Sequence, residues 1–169
     1  YSSDQGFYLG EHGWFDKRWM FDESLRTPLL ARWPGVTKPG TESVDMVSNV
    51  DFAETFLEMA GASVPKDMQG RSLVPILKGK TPEDWRTSHY YHYYEAGGHG
   101  VPIHYGVTTK SHKLIRYPAP INEWELYDLK KDPRELNSVF GRPGYARATK
   151  RLEKELGRLR KELKVDEEK

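Results

Sequence analysis

Residues 3–17 read SDQGFYLGEHGWFDK and carry more chemical information than any other part of the chain. Asp4 and Gln5 place a charged and a neutral oxygen side by side, and such donors are typical of calcium or magnesium sites rather than zinc sites. Lys17 adds a positive charge that suits an oxyanion such as sulfate or phosphate. Glycines and weak helical or strand periodicity indicate a loop. We predict a metal- and anion-binding loop, although an ordinary surface turn with a solvated lysine would use the same residue types.

The same stretch, followed by FDESLRTPLL at residues 21–30, closely resembles the type I sulfatases of the alkaline phosphatase superfamily. The resemblance implies an α/β fold of that kind. It also implies that Asp4 and Gln5 hold a Ca²⁺ ion and that Lys17 contacts the sulfate group of the substrate. Three later segments resemble the same family in the same order: QGRSLVPILKG at 69–79, YGVTTKSHKLI at 105–115 and ELYDL at 125–129.

One departure from the family pattern limits what the chain can do. Sulfatases of this type carry a Cys-x-Pro-x-Arg or Ser-x-Pro-x-Arg motif whose first residue is oxidised to formylglycine, the nucleophile. This chain has no cysteine and no Ser-x-Pro-x-Arg sequence. The resemblance therefore implies a C-terminal fragment of a sulfatase, which we expect to be inactive alone. Its partner would be the N-terminal part of the same protein, which supplies formylglycine and the remaining calcium ligands.

We predict two regions along the chain. Residues 1–85 are expected to be the C-terminal part of the α/β domain, carrying the metal and substrate loop. Residues 86–169 are expected to form a C-terminal α+β subdomain. Short aromatic and β-branched runs there predict a small antiparallel sheet with strands at 89–95, 103–109, 113–117 and 125–129. A long C-terminal helix should lie on that sheet, because apolar residues recur every three or four positions at Tyr145, Ala148, Leu152, Leu156, Leu159 and Leu163.

Three shorter elements are predicted in the first region. The apolar run 27–33, which ends before Pro34-Gly35, indicates a buried strand. Asp51 and Glu54 have the spacing of a capping box, and Gly61 suits the end of the helix that follows. That helix should face the core with Phe52, Phe56, Leu57 and Ala60. Residues 72–78 should form a short helix or turn.

Several histidines are candidates for the site. His12 lies between Asp4 and Lys17, where it could carry a proton or bind sulfate, or could simply hydrogen-bond the loop. His99 and His104 lie in a tyrosine-rich stretch that suits the rim of a sugar pocket, and we predict that both bind substrate. A zinc site or simple sheet packing of the tyrosines are the alternatives. Arg18 lies outside the matched motif and is expected to be solvated.

Composition excludes some classes of function. The formal net charge of +1 does not indicate nucleic acid or an acidic membrane as a partner. No apolar run approaches the roughly 18 residues that a membrane span needs. Localisation is not encoded here, and the family suggests a periplasmic, extracellular or lysosomal protein.

The expected function is hydrolysis of sulfate esters as part of the intact enzyme. The tyrosine- and histidine-rich stretch resembles sulfatases that act on sulfated sugars, N-acetylglucosamine 6-sulfate among them. A phosphodiesterase or phosphonate monoester hydrolase of the same superfamily is one alternative. A stand-alone binding or assembly module that self-associates through the C-terminal leucines is another.

Overall fold

The computed structural model describes residues 1–96 and 98–165. Contacts divide the chain into two compact units. Unit 1 contains residues 1–4 and 28–86, and unit 2 contains residues 5–27 with the chain from Thr87 onward. These units are defined by contacts within this chain, and the division into domains 1–85 and 86–169 stays a prediction.

Unit 2 is built around a four-stranded antiparallel sheet in which neighbours along the chain are neighbours in space. Its strands are β3 (Ser88–Tyr93), β4 (His104–Thr109), β5 (His112–Tyr117) and β6 (Glu123–Asp128). Each lies within a few residues of its predicted position, because alternating aromatic and β-branched residues suit a sheet with two covered faces. The small antiparallel sheet is therefore confirmed.

Helix α4 (Ala146–Glu162) covers one face of this sheet. Three of its leucines, Leu152, Leu156 and Leu159, are buried against residues of β4, β5 and β6, namely Tyr105, Val107, Leu114 and Leu126. This confirms the predicted long helix and its packing partner. Because the sheet already covers these leucines, they are not available for self-association with a second copy of the chain.

The other face of the sheet carries the segment 5–27, which we call the loop segment. It contains the two-stranded sheet of β1 (Tyr8–Leu9) and β2 (Phe15–Asp16) and the short helix α1 (Asp22–Leu25). Tyr8, Met20 and Phe21 are buried in one cluster with Ile115, Tyr117 and Tyr127 of the sheet. Gly106 of β4 allows this close approach, because a Cβ there would come within 2.7 Å of the Met20 sulfur.

A buried ion cluster also joins α1 to the sheet. The Nζ of Lys113, on β5, is 2.8 Å from Asp22 Oδ1 and 2.7 Å from Glu135 Oε1, and the lysine is fully buried. The backbone N–H of Asp22 donates to Glu135 Oε2 at 2.8 Å. Burial raises the pKa of the Glu135 carboxyl. Because a buried charge is tolerated only when it is paired, this cluster fixes the start of α1 relative to β5.

In unit 1 the predicted strand at residues 27–33 is wrong. Within this run the structure shows one isolated bridge, between Leu29 and Ser2, flanked by backbone hydrogen bonds between Leu30 and Tyr1 at 2.8 and 2.9 Å. The run is also not buried, since Leu30 is 67% exposed. A strand requires hydrogen-bonded neighbours along its length, and an apolar run cannot form one without them.

Helix α2 (Asp51–Met59) forms where predicted but buries a different face. Asp51, Glu54 and Thr55 are buried, whereas Phe56 is 64% exposed. The predicted capping box of Asp51 with Glu54 is wrong, because the Asp51 carboxylate accepts from the backbone N–H of Ser48, three residues earlier, at 2.8 Å. The same carboxylate accepts two hydrogen bonds from the Arg86 guanidinium, at 2.5 and 2.6 Å. A buried bidentate pair of this kind outweighs the apolar pattern, because either charge alone would be costly to bury.

The end of α2 and the position of the next helix agree with the sequence predictions. Gly61 has φ 69° after α2, and its N–H donates to Glu58 while the Ala62 N–H donates to Leu57. This pair of bonds is a Schellman motif and confirms the predicted helix end. Helix α3 (Val74–Leu77) confirms the predicted short helix.

Candidate functional site

The tip of the loop segment is held in an irregular backbone conformation. Between β1 and β2 lies one 3-10 turn, Glu11–Gly13, in which His12 has φ 55°. The backbone N–H of Leu9 donates to Glu11 Oε2 at 2.7 Å and helps to close this turn. Such positive φ values are uncommon outside glycine and point to a conformation fixed by its surroundings.

Buried aromatic rings supply those surroundings. The Tyr8 side chain is fully buried, and its hydroxyl donates to the Trp19 carbonyl at 3.1 Å and accepts from the Phe21 N–H at 3.2 Å. Burial raises the pKa of this hydroxyl well above its ordinary value. The His12 ring stacks on Phe21, with ring centroids 4.2 Å apart.

His12 therefore sits inside the loop rather than at its edge. Its side chain is 9% exposed, and its Nε2 lies 3.4 Å from Glu23 Oε2. A histidine beside a carboxylate can hold or transfer a proton, and it can also serve only to fix the loop. Both alternatives raised by the sequence stay open, and the catalytic role of His12 stays a prediction.

Gln5 and Lys17, the predicted metal and sulfate residues of this unit, are connected through Ser24. The Gln5 side-chain amide donates to Ser24 Oγ at 2.7 Å, and Ser24 Oγ donates to the Lys17 carbonyl at 2.6 Å. The structure thus brings together two residues that are twelve positions apart in sequence, through a serine that the motif did not single out.

The residues on either side of Lys17 form a polar cluster with His99. Arg18 pairs with Asp16, and its Nη2 lies 3.0 Å from His99 Nε2. The Nδ1 of His99 is 3.8 Å from Asp16 Oδ2. The expectation that Arg18 is solvated is wrong, since its guanidinium is held between a carboxylate and an imidazole. His99 therefore lies beside Asp16 and Arg18, the two residues that flank Lys17, although it is 81 positions from Arg18 in sequence.

His104 lies in a different environment. It is fully buried, its Nδ1 is 2.9 Å from the Pro102 carbonyl, and burial lowers the pKa of the ring. Its ring packs among Trp19, Tyr91, Tyr93 and Tyr117. Substrate contact by His99 and His104 stays a prediction, although only His99 has an exposed side chain, at 50%.

The tyrosine- and histidine-rich strand β3 divides its side chains between the two faces of the sheet. Tyr90 packs with the α4 cluster, whereas Tyr91 packs with the loop segment. The Tyr91 hydroxyl donates to the Arg18 carbonyl at 2.8 Å. Alternation along a strand produces this division, so the stretch is not one continuous pocket wall.

Asp4 belongs to unit 1, where its carboxylate is exposed and Ser3 Oγ lies 3.4 Å from Oδ1. Among residues 1–96 and 98–165 no group of three or more histidine, aspartate or glutamate side chains could hold a metal ion by itself. A carboxylate and a neighbouring amide are hard oxygen donors, but calcium prefers six to eight oxygens. Two such oxygens fall short of that number, and the metal-binding roles of Asp4 and Gln5 stay predictions.

Comparison with known proteins identifies the family. The profile described as "N-sulphoglucosamine sulphohydrolase, C-terminal" matches residues 10–162. The chain belongs to the sulfatase family. It is 53% identical, over 97% of its length, to an N-acetylglucosamine-6-O-sulfatase of Bacteroides thetaiotaomicron, of which it covers 30%. Membership confirms the predicted sulfuric ester hydrolase family and implies a metal cofactor.

Solved structures confirm the predicted fold class. A structure of a complex with D-glucosamine-2-N,6-O-disulfate matches 99% of this chain with a TM-score of 0.95 at 51% identity, and the chain covers 34% of it. A phosphonate monoester hydrolase of Agrobacterium radiobacter matches 96% of the chain, with a TM-score of 0.84 at 27% identity, and 34% of it is covered. The chain thus spans about a third of these proteins.

No helix in the described part of the chain is both long and apolar enough to cross a membrane.

Proposed function

We propose that this chain is the C-terminal part of a sulfatase that hydrolyses 6-sulfate esters of N-acetylglucosamine or a closely related amino sugar. The observation that carries the proposal is the 53% identity to an N-acetylglucosamine-6-O-sulfatase across 97% of the chain, the loop segment included. A relative of 51% identity was solved with a glucosamine disulfate, which has the same sulfated position. Export to the periplasm, the cell exterior or a lysosome is part of this proposal.

Within the proposed enzyme, Asp4 and Gln5 would hold Ca²⁺ together with acidic residues of the preceding part. A bound Ca²⁺ would polarise the nucleophile oxygen and one sulfate oxygen. Lys17 would neutralise charge on the sulfate group and contribute about 2–4 kcal/mol, the value typical of a preorganised charge-stabilising contact.

Sugar recognition would use the cluster beside Lys17. Asp16, Arg18 and His99 offer a carboxylate, a guanidinium and an imidazole, which together can accept from and donate to sugar hydroxyls. His99 and His104 are retained as proposed substrate residues, with His12 as a proposed proton carrier. His104, being fully buried, would reach the sugar only if the neighbouring aromatic rings move apart.

The upstream coding sequence and the activity of the full-length protein test this proposal. We expect a Cys-x-Pro-x-Arg or Ser-x-Pro-x-Arg motif upstream of Tyr1 and Ca²⁺-dependent release of sulfate from N-acetylglucosamine 6-sulfate. The isolated chain should release none from that sugar or from an aryl sulfate. A full-length protein that carries the motif but leaves both sulfate esters intact would refute the proposal.

A phosphonate monoester hydrolase is the second candidate, favoured by the TM-score of 0.84 to the Agrobacterium enzyme. Preference of the full-length protein for a phenyl phosphonate over the sulfated sugar, measured as kcat/KM for each, would select it.

A further inference from the structure

Ser24 connects both proposed site residues of unit 2 to the short helix α1. It lies in α1 and is fully buried. Its hydroxyl accepts from the Gln5 amide at 2.7 Å and donates to the Lys17 carbonyl at 2.6 Å, and its own carbonyl accepts from the Gly6 N–H at 2.7 Å. One side chain and its backbone therefore make three hydrogen bonds to the two ends of the site.

The contact between Gly6 and α1 leaves little freedom of placement. A Cβ on Gly6 would lie 1.9 Å from the Glu23 carbonyl oxygen and 3.0 Å from that of Ser24. Only glycine permits backbone to approach backbone this closely. Gln5 is thus held beside α1 by steric fit as well as by hydrogen bonds.

The Ser24 bond also orients the Gln5 side chain. An amide donates through its nitrogen and binds hard cations through its oxygen. With the nitrogen held on Ser24 Oγ, the oxygen of the same amide is directed away from Ser24. The hydroxyl proton of Ser24 is in turn directed to the Lys17 carbonyl, because each hydroxyl has a single proton to donate.

Helix α1 is itself tied to the C-terminal sheet. Lys113 of β5 contacts Asp22 at 2.8 Å, two residues before Ser24. The sheet, the buried lysine, α1 and Ser24 form one connected series of contacts that ends at Gln5 and Lys17. A rigid platform of this kind is what a preorganised site requires.

We propose that Ser24 is a positioning residue, which fixes the Gln5 amide for Ca²⁺ binding and the Lys17 backbone for sulfate contact. The inference rests on the proposed sulfatase function. It assigns no chemical step to Ser24, which acts only through Gln5 and Lys17.

The test uses the full-length enzyme with three substitutions of Ser24 and one control. Ser24→Ala removes the hydroxyl, Ser24→Cys keeps a side chain of similar size with a weak donor and acceptor, and Ser24→Thr keeps the hydroxyl. Ser88→Ala is the matched control, since Ser88 is a buried serine of β3 that donates to Glu155 on α4. For each protein, kcat and KM on N-acetylglucosamine 6-sulfate, Ca²⁺ affinity of the metal-free protein and the unfolding midpoint are measured.

We expect Ser24→Ala and Ser24→Cys to weaken Ca²⁺ binding and to lower kcat by about tenfold to a hundredfold, the range seen when hydrogen-bond partners of metal ligands are removed. Ser24→Thr should keep most of the wild-type Ca²⁺ affinity and kcat. Ser88→Ala should change only the unfolding midpoint. If Ser24→Ala fails to fold, the kcat and the Ca²⁺ affinity of Ser24→Cys test the inference.

The inference is overturned if Ser24→Ala or Ser24→Cys changes kcat and Ca²⁺ affinity no more than Ser88→Ala does. It is also overturned if neither variant folds, since Ser24 would then be a folding residue. If the wild-type enzyme itself does not cleave the sulfate ester, the proposed function is refuted instead. The wild-type assay alone shows this, so the two failures can be told apart.

Discussion

The two faces of the C-terminal sheet support two different kinds of structure. On one face α4 packs three leucines against Val107, Leu114 and Leu126, with contacts that are apolar and regular. On the other face lies the loop segment, which has irregular backbone and is held by aromatic rings, a buried lysine and single hydrogen bonds.

The difference shows how one sheet can serve stability and function at the same time. Apolar packing is driven by the area removed from water and is non-directional, so the α4 face contributes mainly to stability. Hydrogen bonds and ion pairs depend on distance and angle, so the loop face fixes where Gln5 and Lys17 lie. Substitutions on the two faces should therefore change different measured quantities.

The largest effect is expected on the α4 face. Leu152→Ala should lower the free energy of unfolding by about 2–5 kcal/mol, because it leaves a cavity at a side chain that is 1% exposed. Denaturant unfolding of the chain measures it. Leu136→Ala, at a position 60% exposed, should stay within about 0.5 kcal/mol of wild type. Equal losses in the two variants would contradict the assigned core.

On the loop face, Lys17→Ala in the full-length enzyme should lower kcat and kcat/KM together by about thirtyfold to a thousandfold. The reason is loss of the positive charge that we propose lies beside the sulfate, and the free energy of unfolding should change little. Steady-state kinetics on the sulfated sugar measures it. Arg26→Ala is the charge-matched control, since Arg26 is exposed. Near-normal turnover of Lys17→Ala would show that another residue binds the sulfate.

A smaller effect concerns pH and His92, on the α4 side of the sheet beside Arg160. Burial, with the Arg160 charge, lowers the pKa of His92 from 6.5 to about 4. Between these values the unfolded chain binds a proton that the folded chain does not, so stability should fall as pH drops from about 6.5 to about 4. His92→Gln should reduce this fall. Comparing denaturant midpoints of both proteins at pH 7 and pH 4.5 measures it, and parallel curves would exclude the His92 contribution.

The smallest effect is a gain. Gly157 lies inside α4, and a Cβ there would meet nothing within 4 Å. Gly157→Ala should raise the free energy of unfolding by about 1 kcal/mol, because alanine loses less backbone entropy in a helix. Gly106→Ala should instead lower the free energy of unfolding, since its Cβ would lie 2.2 Å from the Leu114 carbonyl oxygen. A loss of stability in Gly157→Ala would mean that α4 packs differently from the structure.

Predictions from the sequence succeeded where a local pattern of apolar residues is compatible with only one type of element. The leucine spacing of α4 and the alternation of the four strands repeat over many residues, so each element and the face it buries could be predicted. They failed at α2, where Phe56 is exposed and Asp51 is buried with Arg86, because an ion pair across 35 positions overrode the apolar pattern. They also failed at residues 27–33, where pairing is limited to Leu29 with Ser2 and Leu30 with Tyr1 and the run is largely exposed rather than buried.

For the candidate site, residue types together with the resemblance to sulfatases indicated Asp4, Gln5 and Lys17, because hard oxygens and a cation suit metal and anion binding. Ser24 and Asp16 were missed, since serine and aspartate are ordinary loop residues and only their contacts distinguish them. The sequence by itself determined the family, the loop that carries the predicted metal and sulfate residues, and the sheet with its covering helix. Only the tertiary structure decided that the loop segment rests on the sheet through Lys113, that Ser24 joins Gln5 to Lys17, and that His99 reaches Arg18. Each of these depends on contacts between distant residues, and such contacts are set by packing in three dimensions rather than by any local pattern.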